Sequence, residues 1–130
     1  NDIILAREGD DRLFGGAGRD LLFAGIGADE LFGGDDDDIL ISGTTSHDGN
    51  AAALDALMAE WSSNDDYEHR IGHLRNGGGL NGPFLLNSST VFDDNDADEL
   101  FGENGEDWFW GKLAAPKKDN TDDQAGEQVN

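Results

Sequence analysis

GGAGRDLLF, at residues 15–23, is followed directly by AGIGADELF, at residues 24–32. Both stretches have glycine at the second and fourth positions, aspartate at the sixth and leucine at the eighth. The same nine-residue period extends to both sides and returns after a long interruption, giving seven copies at residues 1–5 (truncated), 6–14, 15–23, 24–32, 33–41, 93–101 and 102–110. Seven copies in one register are hard to obtain by chance, so the period indicates a repeat architecture.

Two positions of the repeat keep their chemistry in every copy. Position six is always aspartate: Asp2, Asp11, Asp20, Asp29, Asp38, Asp98 and Asp107. Position eight is always large and apolar: Ile4, Leu13, Leu22, Leu31, Leu40, Leu100 and Phe109. A unit made of one turn and one short strand cannot bury its apolar residue alone, but stacked units can. The repeat therefore predicts a solenoid with position eight facing inward.

The glycines and aspartates of each copy are suited to binding a cation. Glycine tolerates positive φ, so a Gly-x-Gly turn can curl tightly and direct its carbonyl oxygens inward. Carbonyl and carboxylate oxygens are the ligands that Ca²⁺ prefers, usually six to eight of them. Non-glycine residues stand at position two in three copies (Arg7, Asp94 and Glu103), and aspartate stands at position four in two copies (Asp36 and Asp96), of which the copy 93–101 carries both changes. We expect these turns to tolerate the change.

Composition narrows the classes of function. The 130 residues fit a single domain and include 29 Asp and Glu against 8 Lys and Arg, for a formal charge of -21. Such a surface repels nucleic acid and anionic lipid. The chain has no cysteine, which excludes disulfides and thiolate metal sites. It also has no apolar run long enough to span a bilayer. We therefore expect neither nucleic-acid binding nor membrane insertion. Because Asn1 falls inside a repeat, we also expect the chain to be a piece of a longer protein.

The repeats resemble the haemolysin-type calcium-binding repeat of the RTX (repeats-in-toxin) family, whose pattern is GGxGxDxUx. The resemblance implies a mainly β fold, a parallel β-roll (a right-handed β-solenoid) in which two repeats make one turn. Calcium ions then lie between turns eighteen residues apart. Each ion takes the position-six aspartate of both turns, carbonyls of positions two and four from the first turn, and carbonyls of positions one and three from the second.

Transferred to this chain, the resemblance implies particular ligands. One site uses the carbonyls of Arg7, Gly9, Ala24 and Ile26 and the carboxylates of Asp11 and Asp29. A second uses the carbonyls of Gly16, Gly18, Gly33 and Asp35 and the carboxylates of Asp20 and Asp38. Asp2 with Asp20 makes a third, incomplete site, and Asp98 and Asp107 are further ligands whose stacking partners depend on the route of the interruption.

The resemblance also implies a function. It predicts a structural module of a secreted bacterial protein, exported through a type I secretion channel, located outside the cell or on its surface, and folding there when Ca²⁺ binds. We expect a monomer with several calcium ions and no enzymatic activity, since no catalytic motif occurs. Two alternatives stay open: a calcium-dependent adhesin or ligand-binding domain, with an unknown glycan or protein ligand, and the C-terminal part of a secreted hydrolase.

The interruption predicts an inserted α-helical hairpin of about ten residues per helix. Apolar residues follow helical spacing in two stretches: Leu54, Leu57, Met58 and Trp61, then Tyr67, Ile71 and Leu74. Asp48 or Asn50 is expected to cap the first helix, and Asn76–Gly77 to end the second. Beyond it, GPFLLN (82–87) and STVFDD (89–94) are read as short strands that re-enter the sheet.

The predicted single domain over 1–130 thus has four parts. Residues 1–42 are the first repeat block, 43–89 the helical insert with a connecting strand, 90–111 the second block and 112–130 a polar C-terminal tail. The outward positions of alternate copies are all apolar, at Ile3, Leu5, Leu21, Phe23, Ile39 and Ile41. We expect the hairpin to cover this face. The alternative is that the helices only cap the end of the roll.

Two further groups of residues have competing interpretations. Trp108 and Trp110 continue the apolar outward face, or alternatively form a stacking platform for a sugar. His69 and His73 stand four residues apart, a spacing that can hold zinc, but no catalytic glutamate lies between them. We interpret these two histidines as a surface pair.

Overall fold

The computed structural model describes residues 1–111, 120–121 and 128–130. The chain divides into two compact units, one formed by Asn1–Thr44 with Asp93–Asn130 and the other by Thr45–Phe92. All the repeats belong to the first unit. Most of the predicted polar tail lies outside the described residues, but its two described pairs, 120–121 and 128–129, are strands.

The repeat unit consists of two parallel sheets to which successive strands contribute alternately. One sheet has the order β1 (Ile3–Leu5), β3 (Leu21–Phe23), β5 (Ile39–Ile41), β9 (Trp108–Trp110) and β11 (Gln128–Val129). The other has the order β10 (Asn120–Thr121), β8 (Glu99–Asn104), β4 (Glu30–Asp35) and β2 (Arg12–Ala17). The predicted mainly β class is confirmed, and the arrangement is compatible with a parallel β-roll.

The interruption leaves the alternation of strands intact. Before it, strands pair eighteen residues apart, as in Leu22 with Leu40. After it, β8 pairs with β4 and β9 with β5, so that Leu31 is aligned with Leu100 and Leu40 with Phe109. The chain therefore leaves one sheet after β5 and re-enters the other at β8, as two consecutive repeats would.

The core of this unit is built from position eight of the repeats. These residues come from both sheets and form one buried cluster with Ala24: Leu13, Leu22, Leu31, Leu40, Leu100 and Phe109. The prediction that position eight faces inward is confirmed. Because each copy adds one large apolar residue to a core shared with its neighbours, no single copy could stay folded alone.

The outward faces of the two sheets differ in exposure. The outward residues of β3 and β5, which are Leu21, Phe23, Ile39 and Ile41, are buried, and so is Trp108 of β9, while Trp110 is half-buried. On the other sheet, the rings of Phe14, Phe32 and Phe101 stack with centroids 4.8 and 4.9 Å apart, and Phe14 is 61% exposed. The prediction that the hairpin covers the apolar face stays a prediction.

The second unit contains the two predicted helices, α1 (Ala51–Trp61) and α2 (Tyr67–Asn76). Of the two predicted caps for α1, the structure has Asn50, whose side-chain oxygen accepts a hydrogen bond from Ala53 N at 3.1 Å. Gly77 ends α2 with φ of 88°, as predicted from Asn76–Gly77. Among the described residues, neither helix is long and apolar enough to cross a membrane.

The helices pack through the residues that the helical spacing selected. Leu54, Leu57 and Trp61 of α1 are buried, and so are Tyr67, Ile71 and Leu74 of α2. The guanidinium of Arg70 lies 4.5 Å from the ring centroid of Trp61, and its Nη1 donates to the Trp61 carbonyl at 3.1 Å. Arg70 is buried because this ring and carbonyl replace the water around its charge.

The predicted strands after α2 are wrong in part. Residues 82–87 form no strand, because their backbone groups bond elsewhere: Leu86 N donates to the Leu74 carbonyl, and the Leu85 carbonyl accepts from Thr90 Oγ1. Val91–Phe92 is a strand (β7), but it pairs with Thr44–Thr45 (β6) in a separate two-stranded sheet and does not join the larger sheets. A short apolar run favoured a strand, but the hydrogen-bond partners of its backbone lie on α2 and in the loop that follows.

Candidate metal centre

The position-six aspartates form two ladders, one beside each sheet. In every stacked pair, the earlier aspartate donates its backbone N–H to Oδ1 of the later one, at 2.5 to 2.7 Å. The pairs are Asp2–Asp20, Asp11–Asp29, Asp20–Asp38, Asp29–Asp98 and Asp38–Asp107. The sequence left open which turns Asp98 and Asp107 stack on. The structure places Asp98 next to Asp29 and Asp107 next to Asp38.

The inner aspartates of these ladders have a buried oxygen without a hydrogen-bond partner. Asp20, Asp29 and Asp38 are at most 1% exposed. Their Oδ1 atoms accept the backbone hydrogen bonds, but their Oδ2 atoms have no partner. A buried, unpaired carboxylate oxygen is costly unless a cation or a proton neutralises it.

Burial dominates the electrostatics of these carboxyl groups. It raises the pKa of Asp20 and Asp29 above the ordinary value, and it raises the pKa of Asp38 to about 8. The backbone hydrogen bond to each carboxylate lowers the pKa in part, whereas the neighbouring aspartates raise it further. Without a cation, the chain therefore favours a protonated Asp38 at neutral pH.

The turns that precede the aspartates have left-handed residues at positions two and four. Most of these residues are glycine: Gly9, Gly16, Gly18, Gly25, Gly27, Gly34 and Gly105. Arg7, Asp36 and Glu103 adopt the same conformation with φ between 72° and 83°. The turn survives these three substitutions, in agreement with the sequence-based expectation.

One copy departs from the pattern, and its turn is built differently. In residues 93–101 the positive φ falls at position three, Asn95, and not at Asp94 or Asp96. Asp94 instead accepts hydrogen bonds through its side chain, from Gly27 N at 2.8 Å and Asp96 N at 3.0 Å. Its carboxylate lies close enough to Asp29 to raise the pKa of that group.

Stacked turns approach so closely that some glycines have no room for a side chain. A Cβ on Gly25 would overlap the Arg7 carbonyl, and one on Gly34 would overlap the Gly16 carbonyl. Gly16 has the same φ as Gly25, 100°, but its Cβ would meet no atom within 4 Å. The close approach therefore occurs only between particular pairs of stacked turns and not at every glycine.

The structure brings the predicted ligands of the first site into adjacent turns. Ile26 N donates to the Arg7 carbonyl at 2.6 Å, and Gly9 N donates to the Ile26 carbonyl at 2.9 Å. A carbonyl oxygen has two lone pairs, so each of these two can still accept a cation. Asp11 and Asp29 are joined by their own hydrogen bond, while Ala24 lies in the apolar core cluster.

The residues of the second predicted site are also in register. Gly16 aligns with Gly34 and Ala17 with Asp35 in the pairing of β2 with β4, and Asp20 is bonded to Asp38. Gly33 lies against Gly15 of the turn before it. Gly18 lies against the side chain of Asn1, in the truncated copy that contributes Asp2 to the third site.

Position five also forms stacking contacts, which the sequence analysis missed. Asn1, Asp10 and Asp37 each accept a hydrogen bond through a side-chain oxygen from the position-five N–H of the next stacked copy, at 2.7 to 3.0 Å. The donors are Arg19, Ala28 and Glu106. Short oxygen-bearing side chains at position five were the available signal. Asp10 and Asp37 also bring additional negative charge to the turns.

These observations fit a hard divalent cation. Unpaired carboxylate oxygens, left-handed turns and carbonyls of neighbouring turns supply only oxygen ligands, which suits Ca²⁺. The implied holders are the position-six aspartates and the carbonyls of the adjoining turns. A bound ion would neutralise the buried charge and join two turns through ligands from both.

Comparison with known proteins agrees with this chemistry. The family model for the RTX calcium-binding nonapeptide repeat matches residues 1–31, 15–44 and 88–113, just over half of the chain, with four copies. No curated protein and no solved structure gives a significant match. The nonapeptide period, the aspartate ladders and this match together place the chain in the RTX calcium-binding repeat family.

Proposed function

We propose that this chain is a calcium-binding structural module of a secreted bacterial protein, which folds as a right-handed parallel β-roll when Ca²⁺ binds outside the cell. The observation behind the proposal is the set of buried Oδ2 atoms on Asp20, Asp29 and Asp38, which have no hydrogen-bond partner. In this role the chain provides a metal-dependent scaffold and no catalysis.

Calcium supplies the favourable free energy that the short strands lack. Strands of three residues are too short to hold a sheet without further support. The stacked carboxylates repel each other, and removing them from water is unfavourable. A divalent ion between two turns reverses both effects, so binding and folding are coupled by mass action.

The coupling explains how the acidic charge is useful. Because calcium is scarce inside a cell, repulsion within the formal charge of -21 keeps the chain expanded there. An expanded chain suits export in an unfolded state. Five stacked aspartate pairs occur in the described residues, and one ion per pair would offset about half of that charge. Type I secretion and extracellular location are parts of this proposal that follow from the family.

A calcium titration followed by circular dichroism tests the proposal. The full chain is stripped of metal, titrated with CaCl₂ to millimolar levels and then treated with EGTA. We expect a cooperative gain of sheet signal that EGTA reverses. Mg²⁺ at the same concentration should not replace Ca²⁺, because it demands a small octahedral site and retains its water. A sheet signal present in full without calcium would refute the coupling.

The adhesive alternative finds less support in the aromatic residues. Trp108 is fully buried, so the two tryptophans offer no stacking platform of the predicted kind. The exposed Phe14 stacks on the half-buried Phe32, which stacks on the half-buried Phe101, so the ring faces between them are not open to a sugar. Calcium-dependent capture on a glycan array would nevertheless favour the adhesin, and an upstream catalytic domain in the full-length gene would favour the hydrolase.

A further inference from the structure

The helical unit contains a second cluster of metal-ligating side chains, far in sequence from the aspartate ladders. Among the described residues, Glu60, Asp65 and His73 are the one group of three or more such side chains whose ligand atoms all lie within 4.8 Å of one another. His73 Nδ1 lies 2.7 Å from Glu60 Oε1 and 3.5 Å from Asp65 Oδ2. We propose that these three residues form a zinc site that is independent of the calcium repeats.

The elements of the hairpin converge on this cluster. Glu60 lies in the last turn of α1, Asp65 in the connection between the helices, and His73 in α2. The interpretation of His69 and His73 as a surface pair therefore holds only for His69, whose Nδ1 bonds to Asp66. His73 turns to the other helix instead and contacts Glu60.

Glu60 is held in a fixed orientation before any metal binds. Its carboxylate is 1% exposed, and Leu80 N donates to Oε2 at 2.7 Å, which directs Oε1 towards His73. Gly79 lies so close that a Cβ there would overlap the same carboxylate. A buried carboxylate whose second oxygen is fixed by a backbone N–H is the arrangement by which proteins orient a metal ligand.

The donor set favours zinc over calcium. One imidazole nitrogen and two carboxylate oxygens suit Zn²⁺, which commonly takes three protein ligands and leaves a fourth position to water. Ca²⁺ prefers six to eight oxygens. Ligand atoms bound to one tetrahedral zinc lie about 3.3 Å apart, so His73 and Glu60 need to separate by only about half an ångström.

Zinc binding must displace the hydrogen from Nδ1 of His73. His73 Nδ1 faces the carboxylate oxygen of Glu60, and two acceptors cannot bond to each other, so this nitrogen carries a hydrogen in the metal-free state. The ion takes the place of that hydrogen on Nδ1: from a neutral imidazole the proton moves to Nε2, and from an imidazolium it leaves to solvent. Without zinc, the same contact links the two helices as a hydrogen bond.

Isothermal titration of the calcium-loaded chain with ZnCl₂ tests the site. Saturating CaCl₂ occupies the aspartate ladders, and we expect one further saturable zinc site in the wild-type chain. His73→Gln should weaken zinc binding by about tenfold or more, since loss of even an outer partner of a ligand commonly costs that much. Asp65→Asn should act in the same direction, and Asp65 is exposed enough for its replacement to leave the fold intact.

The matched control is His69→Gln. His69 is on the same helix, four residues away and more exposed than His73, but it is outside the cluster. This variant should bind zinc like the wild-type chain. The site is refuted if the calcium-loaded wild type shows no saturable zinc binding, or if His73→Gln and Asp65→Asn, both with wild-type helix signal, bind zinc as tightly as His69→Gln.

Discussion

The two oxygens of each position-six aspartate have different tasks. In Asp38, Oδ1 accepts a backbone hydrogen bond from Asp20 and so fixes the stacking of two turns, while Oδ2 is buried and has no hydrogen-bond partner. An asparagine could perform the first task equally well. Only a carboxylate could neutralise a bound cation, so the invariance of aspartate at this position points to the metal.

Replacing Asp38 separates these two tasks. Asp38→Asn keeps an oxygen for the Asp20 N–H but removes one negative ligand, so we expect the calcium affinity of the chain to fall by about tenfold or more, or about 1.4 kcal/mol. Calcium-free stability should not fall, because a buried ionisable group has been removed. Calcium titration by calorimetry measures the first effect, and the sheet signal of the calcium-free variant, compared with that of the calcium-free wild type at the same pH, measures the second.

Asp55→Asn is the control, because it changes the net charge equally at an exposed position of α1. It should leave calcium affinity within about twofold, as surface charges are screened. Equal losses in both variants would mean that overall charge, and not ligation by Asp38, determines affinity.

At the scale of one element, the turn between strands requires glycine for two distinct reasons. A left-handed φ disfavours any side chain, and a neighbouring turn can leave no space for one. Gly16 and Gly25 separate the two reasons, because both have φ of 100° but only Gly25 lies against a carbonyl, that of Arg7.

Alanine at these two glycines should therefore differ in effect. Gly16→Ala adds the strain of a left-handed residue, about 1–2 kcal/mol. Gly25→Ala adds the same strain and also forces Arg7 away, so we expect a clearly larger loss of stability and weaker binding of calcium. Denaturant unfolding in saturating calcium measures both. Equal losses would show that the neighbouring turn moves aside without cost.

In the helical unit, alanine at two different glycines is expected to change stability in opposite directions. Gly72 lies inside α2 and has open space around it, so Gly72→Ala should stabilise the helix by about 0.5–1 kcal/mol. Gly79→Ala should destabilise the same unit, because its Cβ would displace the Glu60 carboxylate. Thermal unfolding followed by the helix signal tests the pair, and a neutral Gly79→Ala would contradict the close contact described for Glu60.

For the molecule as a whole, the buried aspartates make folding depend on pH in a direction that calcium reverses. The pKa of Asp38 is about 8 in the metal-free fold against 3.8 in an unfolded chain, and those of Asp20 and Asp29 are raised as well. The metal-free fold thus binds more protons than the unfolded chain. Its stability is highest below about pH 4 and is lost as the pH rises through about 8.

We therefore expect the calcium-free chain to gain sheet signal when the pH is lowered from about 8 to about 5. In saturating calcium the trend should reverse, since protons compete with the ion for the same oxygens. Circular dichroism at several pH values, with and without metal, checks both trends. Calcium-free stability that rises with pH between 4 and 8 would contradict the pKa of Asp38.

The sequence by itself determined the repeat unit: its turn, its short strand, its inward apolar residue and the aspartate that follows the turn. These features are local, because each depends on the conformational and chemical character of residues within nine positions. The two helices were equally predictable, from the spacing of Leu54, Leu57 and Trp61 and from the cap at Asn50.

Only the tertiary structure decided which residues meet across long separations. The pairing of Asp29 with Asp98 depends on where a long interruption returns the chain, and no period extends through it. The contact between Glu60 and His73 depends on how two helices pack. The strand prediction for residues 82–87 was wrong for the same reason, because the backbone partners of this segment lie on α2 and in the loop that follows. The local sequence determines the conformation and chemistry that are open to a residue, whereas packing determines which other residues it contacts.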